Sequence, residues 1–212
     1  MYRKMDEAAM VQLLETGIEE FSNAGLDRAN INTIAKKAGM SVGVIYKYYQ
    51  DKDAFFLACV RYSLQTLDEV LSSAIDKQQS LRENLTRVVR ALLQHAKEHR
   101  NINVMYNEIT SGSCRKYAAQ LAEEIEARTA LLYQELFENA ISEGHVEGDI
   151  DPRLLAFFLD NLLMMLQFSC SCDYYRARMN IFCGEDVSTD DEAIVYGMTE
   201  FILRGVGGKH GV

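Results

Sequence analysis

Apolar residues recur along most of the chain at three- and four-residue intervals, the spacing of one face of an α-helix. Met10, Leu13, Leu14, Ile18 and Phe21 form the first stripe, with Gln12, Glu15 and Glu19 opposite. They predict a helix over about 6–22, stopped at Gly25. Asn30 is placed to cap a short helix over 31–38. Gly39 and Ser41 make a tight break, and a third short helix runs from Val42 to Tyr48. Asp51 caps a long fourth helix striped by Phe56, Val60, Leu64, Leu67, Leu71 and Ala74. Leu81, Leu85, Val88 and Leu92 mark a fifth helix, 102–109 a shorter sixth, and Tyr117, Leu121, Ile125, Leu132 and Leu136 a seventh. Pro152 suits the first turn of an eighth. After a loop at FCGEDVSTDD, a last helix spans 190–204, and the tail GVGGKHGV is expected to fray. The expectation is an all-α protein of about nine helices.

Composition agrees with this. There is one Pro and no Trp, while helix formers abound. A chain of 212 residues suits one large domain or two small ones. The N-terminus meets acidic residues at once and shows no signal peptide. The strongest apolar stretch, LLAFFLDNLLMMLQFS, is interrupted by Asp160 and Asn161 and reads as too short and too polar to cross a bilayer. A cytoplasmic protein is expected, with no membrane partner. Its five cysteines, Cys59, Cys114, Cys170, Cys172 and Cys183, would then be reduced, and their odd number argues against a disulfide framework.

Charge changes the picture. The net charge is −9, yet residues 1–52 are neutral and 27–52 carry five basic residues against two acidic ones. One basic patch on an acidic protein points to a polyanion partner for that segment alone. The segment is also where two short helices, joined by a Gly-containing turn, follow a longer one, which is a helix-turn-helix. The second short helix of that motif enters the DNA major groove with its N-terminal residues toward the bases. Here those are Ser41, Val42, Gly43 and Val44. Small side chains let the backbone approach base edges, and valine suits a thymine methyl. Tyr46 and Tyr48 are assigned to phosphate contacts and Tyr49 to packing against the first helix. Lys47 and Lys52 add phosphate charge, Lys52 beside a helix N-terminus. Periodicity alone leaves open that the tyrosines are core and the lysines a solvated face.

The stretch INTIAKKAGMSVGVIYKYYQDKDAFF resembles the DNA-binding signature of the TetR family of bacterial repressors. That pattern runs roughly I-A-x-x-A-G-V-S-x-G-x-L-Y-x-[YH]-F-x-x-K-x-x-L. Ile34, Ala35, Ala38, Gly39, Ser41, Gly43, Tyr46, Tyr48 and Lys52 match it, and Met40, Ile45, Tyr49 and Phe55 are conservative variants. The resemblance covers about residues 8–60. The family often has a Thr-Thr pair before the second helix where this chain has Ala29 and Asn30. Asn30 can still cap, and Asn30 and Thr33 join the candidate DNA contacts. The resemblance implies a DNA-binding domain at 1–52 and a helical effector and dimerisation domain at 53–212.

The rest of the chain is compatible with this. The eighth helix is apolar almost all round, so more than one face must be covered. We expect a symmetric dimer through the last two helices, using Leu155, Leu162, Leu166, Ile194, Met198, Phe201 and Ile202. A larger internal core in a monomer is the alternative. Met105, Tyr106, Phe137, Phe158, Asn161, Met165 and Phe168 are candidates to line a pocket for a small hydrophobic effector. Asn161 and Gln167 are polar groups in the most buried helix and need partners, from a ligand or from the dimer interface.

His95 and His99 are four apart, as a metal pair would be, but nothing completes a ligand set, and a solvated pair is the simpler reading. Cys170 and Cys172 leave thiol or metal sensing open. No nucleophile–base pair, phosphate loop or metal set points to an enzyme, and no cofactor is expected. The expected function is a ligand-responsive repressor released from a palindromic double-stranded DNA operator. The alternative is a DNA-bound protein acting through protein partners, in nucleoid or division control, with no effector.

Overall fold

The computed structural model describes residues 5–109, 112–146 and 148–207, so the expected fraying from Gly208 onward lies outside the described residues. Among the described residues there are ten α-helices, a 3-10 turn at Gly112–Tyr117 and no strand. The helices are α1 (Glu7–Arg28), α2 (Ile31–Lys37), α3 (Val42–Tyr48), α4 (Lys52–Ala74), α5 (Leu81–Glu98), α6 (Arg100–Ile109), α7 (Ala118–Ser142), α8 (Pro152–Ser171), α9 (Asp173–Ser188) and α10 (Asp191–Gly205). They fall into two compact units. One is Met1–Thr66 with Asn101–Ala119, and the other is Leu67–Arg100 with Gln120–Val212.

In the first unit, side-chain caps fix where helices start. Asp6 accepts from Ala9 N at 2.8 Å, Asn30 from Asn32 N at 2.9 Å, and Asp51 from Ala54 N at 2.7 Å. Leu13, Ile18, Phe21, Ile34, Ile45, Phe55 and Phe56 are buried together with Cys59 and Val60. The Phe21 ring meets Phe56 edge-on at 5.1 Å and Phe55 at 5.8 Å. Gly17 lets α1 lie against α4 here, because a Cβ on it would stand 2.6 Å from Cys59 Sγ and 2.7 Å from Phe55 Cζ.

The second unit is organised by α5, which packs against both α8 and α10. A capping box between Ser80 and Glu83 starts α5. Buried Asn84 then ties the preceding loop, donating to Asp76 O and Gln79 O and accepting from Asp76 N. The inward faces of α5, α7, α8 and α10 form one apolar core. On the rim, Arg82, Arg90 and Lys97 pair with Glu200, Glu192 and Asp191, which fixes α5 and α10 antiparallel.

Two expectations are corrected. The loop expected at FCGEDVSTDD is largely helix. Cys172 is extended (ψ 131°), which ends α8 at Ser171, and α9 continues through 182–188 with a kink at Gly184 (φ 76°). Ten α-helices result among the described residues, in keeping with the about nine expected. Second, α8 is long and apolar enough by length and composition to cross a membrane, contrary to the sequence reading. What marks it as a core helix is packing: Leu155, Leu159, Leu163 and Leu166 are buried against the second unit's own core.

Gly17→Ala is expected to destabilise the protein by about 1–3 kcal/mol despite the better helix propensity of alanine, because the methyl meets a sulfur and a ring already in contact. Urea denaturation followed by circular dichroism measures it, and an unchanged midpoint would show that α1 and α4 are not so closely packed.

Candidate functional site

The turn between α2 and α3 depends on Gly39, whose φ of +67° suits no other residue well. Ser41 starts α3 with its hydroxyl toward Val44 N at 3.4 Å. The first residues of α3 are then presented outward: Ser41 and Gly43 are exposed, Val42 and Val44 partly so. Only Ile45 of this helix is buried. A Cβ on Gly43 would meet nothing nearer than Ser41 Oγ at 3.9 Å, so the fold itself does not require a glycine there.

The three tyrosines separate. Tyr46 is 43% exposed. Tyr48 is partly buried, and its hydroxyl oxygen accepts from Met5 N at 2.6 Å, leaving the phenolic proton as a donor. Tyr49 is a packing residue. Its ring lies 4.9 Å from Phe55, its hydroxyl donates to Met10 Sδ, and burial raises its pKa. Asn30 is exposed, Thr33 partly buried, and Lys47 exposed. Lys52 differs from expectation. Its ammonium donates to Asp27 O at 2.8 Å and Ala29 O at 3.3 Å, so it pins the carbonyl end of α1 and its charge is engaged within the fold.

The expected pocket residues are divided between the two units. Met105 and Tyr106 belong to the first unit and the other five to the second. Phe137 and Phe168 are buried, Met165 is partly buried, and Phe158 is 54% exposed. Asn161 alone among them lines the cavity described next. It lies between α7 and α8, has a volume of about 460 Å3, and is walled by Ala130, Gln134, Ala156, Phe157 and Met164 as well. Alanines on both facing helices leave the space. Glu126, Asp160 and Arg153 also reach it. Burial, and then the nearby Glu126 carboxylate, push the Asp160 carboxyl up to about 6. Asp160 is visible in the sequence as an interruption of an apolar helix. Glu126 gives no such signal, because it sits in a polar stretch of α7.

The expected dimer residues also divide. Leu155, Leu166, Ile194 and Ile202 are buried in the chain's own core, because α5 covers those faces of α8 and α10. Leu162 and Met198 are partly buried and Phe201 is 64% exposed. The outward apolar side chains of these helices include Leu154, Phe158 and Tyr196.

His95 is not solvated as expected but buried, and neither ring nitrogen has a hydrogen-bond partner. Burial and neighbouring His99, whose ring is 4.8 Å away, push its pKa down to about 4. Among the described residues no group of three His, Cys, Asp or Glu is placed to hold a metal. None of the five cysteines is joined in a disulfide, and burial raises the pKa of Cys59, Cys170 and Cys172.

Comparison with known proteins gives the same picture. Residues 13–59 match the family described as bacterial regulatory proteins, tetR family. The HTH-type transcriptional regulator YhgD of Bacillus subtilis strain 168 is 24% identical over 157 residues, covering 74% of this chain and 81% of YhgD. A TetR-like transcriptional regulator from Rhodococcus sp. RHA1 superposes with a TM-score of 0.70 at 21% identity, covering 98% of this chain and all of that one. FadR from Bacillus subtilis, solved in complex with stearoyl-CoA, gives a TM-score of 0.71 at 17% identity, covering 93% of this chain and all of that one.

Asp160 yields a pH test. Its folded pKa is raised above the unfolded value, so its protonation favours the folded state, and that contribution is lost as pH rises through about 6. Between pH 7.5 and 4.5 the parent should gain on the order of 1–2 kcal/mol relative to Asp160→Asn, after allowance for partial solvation. Urea denaturation of both proteins at the two pH values reads the difference, and parallel curves would remove the burial argument.

Proposed function

We propose that the chain, whose residues 13–59 match the tetR family of bacterial regulatory proteins, is a DNA-binding transcriptional regulator of that family and acts in the cytoplasm as a homodimeric repressor. Residues 1–52 read a palindromic operator, and residues 53–212 carry dimerisation and the response to a small hydrophobic effector. The observation that carries the reading is the start of α3, where Ser41, Val42, Gly43 and Val44 leave backbone and small side chains accessible to base edges. A glycine inside a helix costs about 1 kcal/mol relative to alanine. Gly43 brings no packing gain in return, so its use lies outside the chain, in close approach to DNA.

Tyr46, the phenolic proton of Tyr48 and Lys47 serve phosphates, with Asn30 and Thr33 at the start of α2 beside them. Lys52 contributes by holding α1. Outward Leu154, Phe158, Tyr196 and Phe201, with Leu162 and Met198, support a second copy covering α8 and α10. Each subunit then reads one half-site, the two recognition helices about 34–36 Å apart. An effector that binds better to a dimer with another spacing releases DNA by population shift. The cavity between α7 and α8 favours this over a regulator working through protein partners alone. The stearoyl-CoA held by one structural neighbour supports apolar effector chemistry in this fold.

Selection of bound sequences from a random double-stranded DNA pool tests the reading. One palindrome should emerge. Tyr46→Ala should weaken it about tenfold or more, and Lys47→Ala should lower the salt slope by about one. Gly43→Ala should stabilise the fold by up to about 1 kcal/mol yet weaken operator binding. Absence of enrichment, even after denaturation, ligand stripping and refolding, would overturn the reading.

A further inference from the structure

We infer that α9 is a self-pairing helix: it lies antiparallel to α9 of a second copy of this chain, with Ile181 and Phe182 at the centre and Arg178 of each copy beside the partner's Glu185. The inference deepens the homodimer reading above, on which it rests, by extending the shared face from α8 and α10 to α9. Three observations carry it.

The first is the lack of cover. α9 spans 16 residues and none of them is buried. It rests on α8 through the half-buried Tyr175, whose ring lies 5.5 Å from Phe168, and it meets the core through Met179. A helix of this length is marginal in water, and helices in proteins take most of their stability from packing an apolar face. Composition adds little, since Tyr174, Tyr175, Asn180, Ile181 and Phe182 are middling helix formers and Gly184 breaks the run with a φ of 76°.

The second is the alignment of the uncovered side chains. Tyr174, Ala177, Arg178, Ile181 and Phe182 recur at three- and four-residue steps and so share one face of the helix before the kink. That face is outward: Tyr174 is 75%, Ile181 83% and Phe182 76% exposed. The Arg178 guanidinium lies over the Phe182 ring at 4.9 Å, and its stem widens the same surface. Single exposed apolar residues are ordinary in soluble proteins, whereas an aligned row of them marks an interaction surface.

The third is the order of charge along the helix, which suits a copy of itself. Arg176 and Arg178 precede the apolar centre, and Glu185 and Asp186 follow it. Ser188 Oγ donates to Asn180 Oδ1 at 2.7 Å, which holds the turn after Gly184 against the helix and keeps the acidic pair at its far end. A twofold axis between Ile181 and Phe182 brings position 178 of one copy opposite position 185 of the other, and sets each Ile181 against the partner's Phe182. Such a contact is isologous, each side presenting the same residues. Opposite charges then meet on both flanks, whereas parallel pairing would set like against like. α9 also packs on both α8 and α10, the helices whose outward side chains already support a second copy.

The test is sedimentation equilibrium of the full-length protein and its variants, with circular dichroism melting to verify that each is folded. Phe182→Ser should raise the dimer dissociation constant about tenfold or more. Arg178→Glu and Glu185→Arg should each raise it about fivefold or more, because like charges then meet twice per dimer, and the double variant should return it to within about twofold of the parent. The two single reversals, refolded together in equal amounts, should form mixed dimers in preference to either homodimer. Native mass spectrometry reads that preference however tight the dimer is. A statistical mixture, or a double variant no tighter than the folded single ones, would overturn the inference. Operator binding is measured on the same samples. A dimeric, DNA-binding parent with a statistical mixture of reversals would count against α9 alone. A monomeric parent would sink the homodimer reading and the inference with it. A dimeric parent that binds no DNA would count against the regulatory reading alone.

Discussion

Helix α8 has more apolar surface than one neighbour can cover, and the second unit is arranged around that constraint. Leu155, Leu159, Leu163 and Leu166 face the core built with α5, α7 and α10. Leu154 and Phe158 face outward. The side carrying Phe157, Asp160, Asn161 and Met164 borders α7 across a cavity. A helix apolar on one stripe would be satisfied by one packing layer. This one requires three kinds of contact, and the three proposed roles of the unit follow: internal core, second copy and ligand.

The first unit is governed by close approach rather than by surplus. Gly17 removes the one side chain that would separate α1 from Phe55 and Cys59, and the Phe21–Phe55–Phe56 cluster fills the space that remains. Tyr49 closes it from the end of α3, and Lys52 ties α4's first turn to the last carbonyls of α1. With its supports held this way, α3 buries only Ile45 and gives the rest of its surface away. Rigidity beneath and exposure above are what a reading helix needs.

Much of the DNA-reading segment was legible because its signals are local. Asn30, Ser41 and Asp51 cap by reaching two or three residues along the chain, and Gly39 turns by its own φ. The bonds of Lys52 within the fold were not legible because its acceptors, the carbonyls of Asp27 and Ala29, lie more than twenty residues away in sequence. The same applies to α8 and α9. The apolar run gives no sign that Cys172 turns extended, and a stretch rich in Gly, Asp, Ser and Thr reads as a loop when it is helix with one kink.

The sequence by itself determined that the protein is helical, that its basic, glycine-broken segment forms a helix-turn-helix, and that α8 must be covered on several sides. These follow from periodicity, local capping and charge, which act over a few residues. Only the tertiary structure decided which apolar residues are core and which face outward. Leu155 and Phe158 are chemically alike and three positions apart, and their fates differ because α5 lies over one of them. It also decided that Glu126 and Asp160, on different helices, share one cavity. Spacing along a chain specifies which residues share a face; what that face meets is set by the packing of helices far apart in sequence.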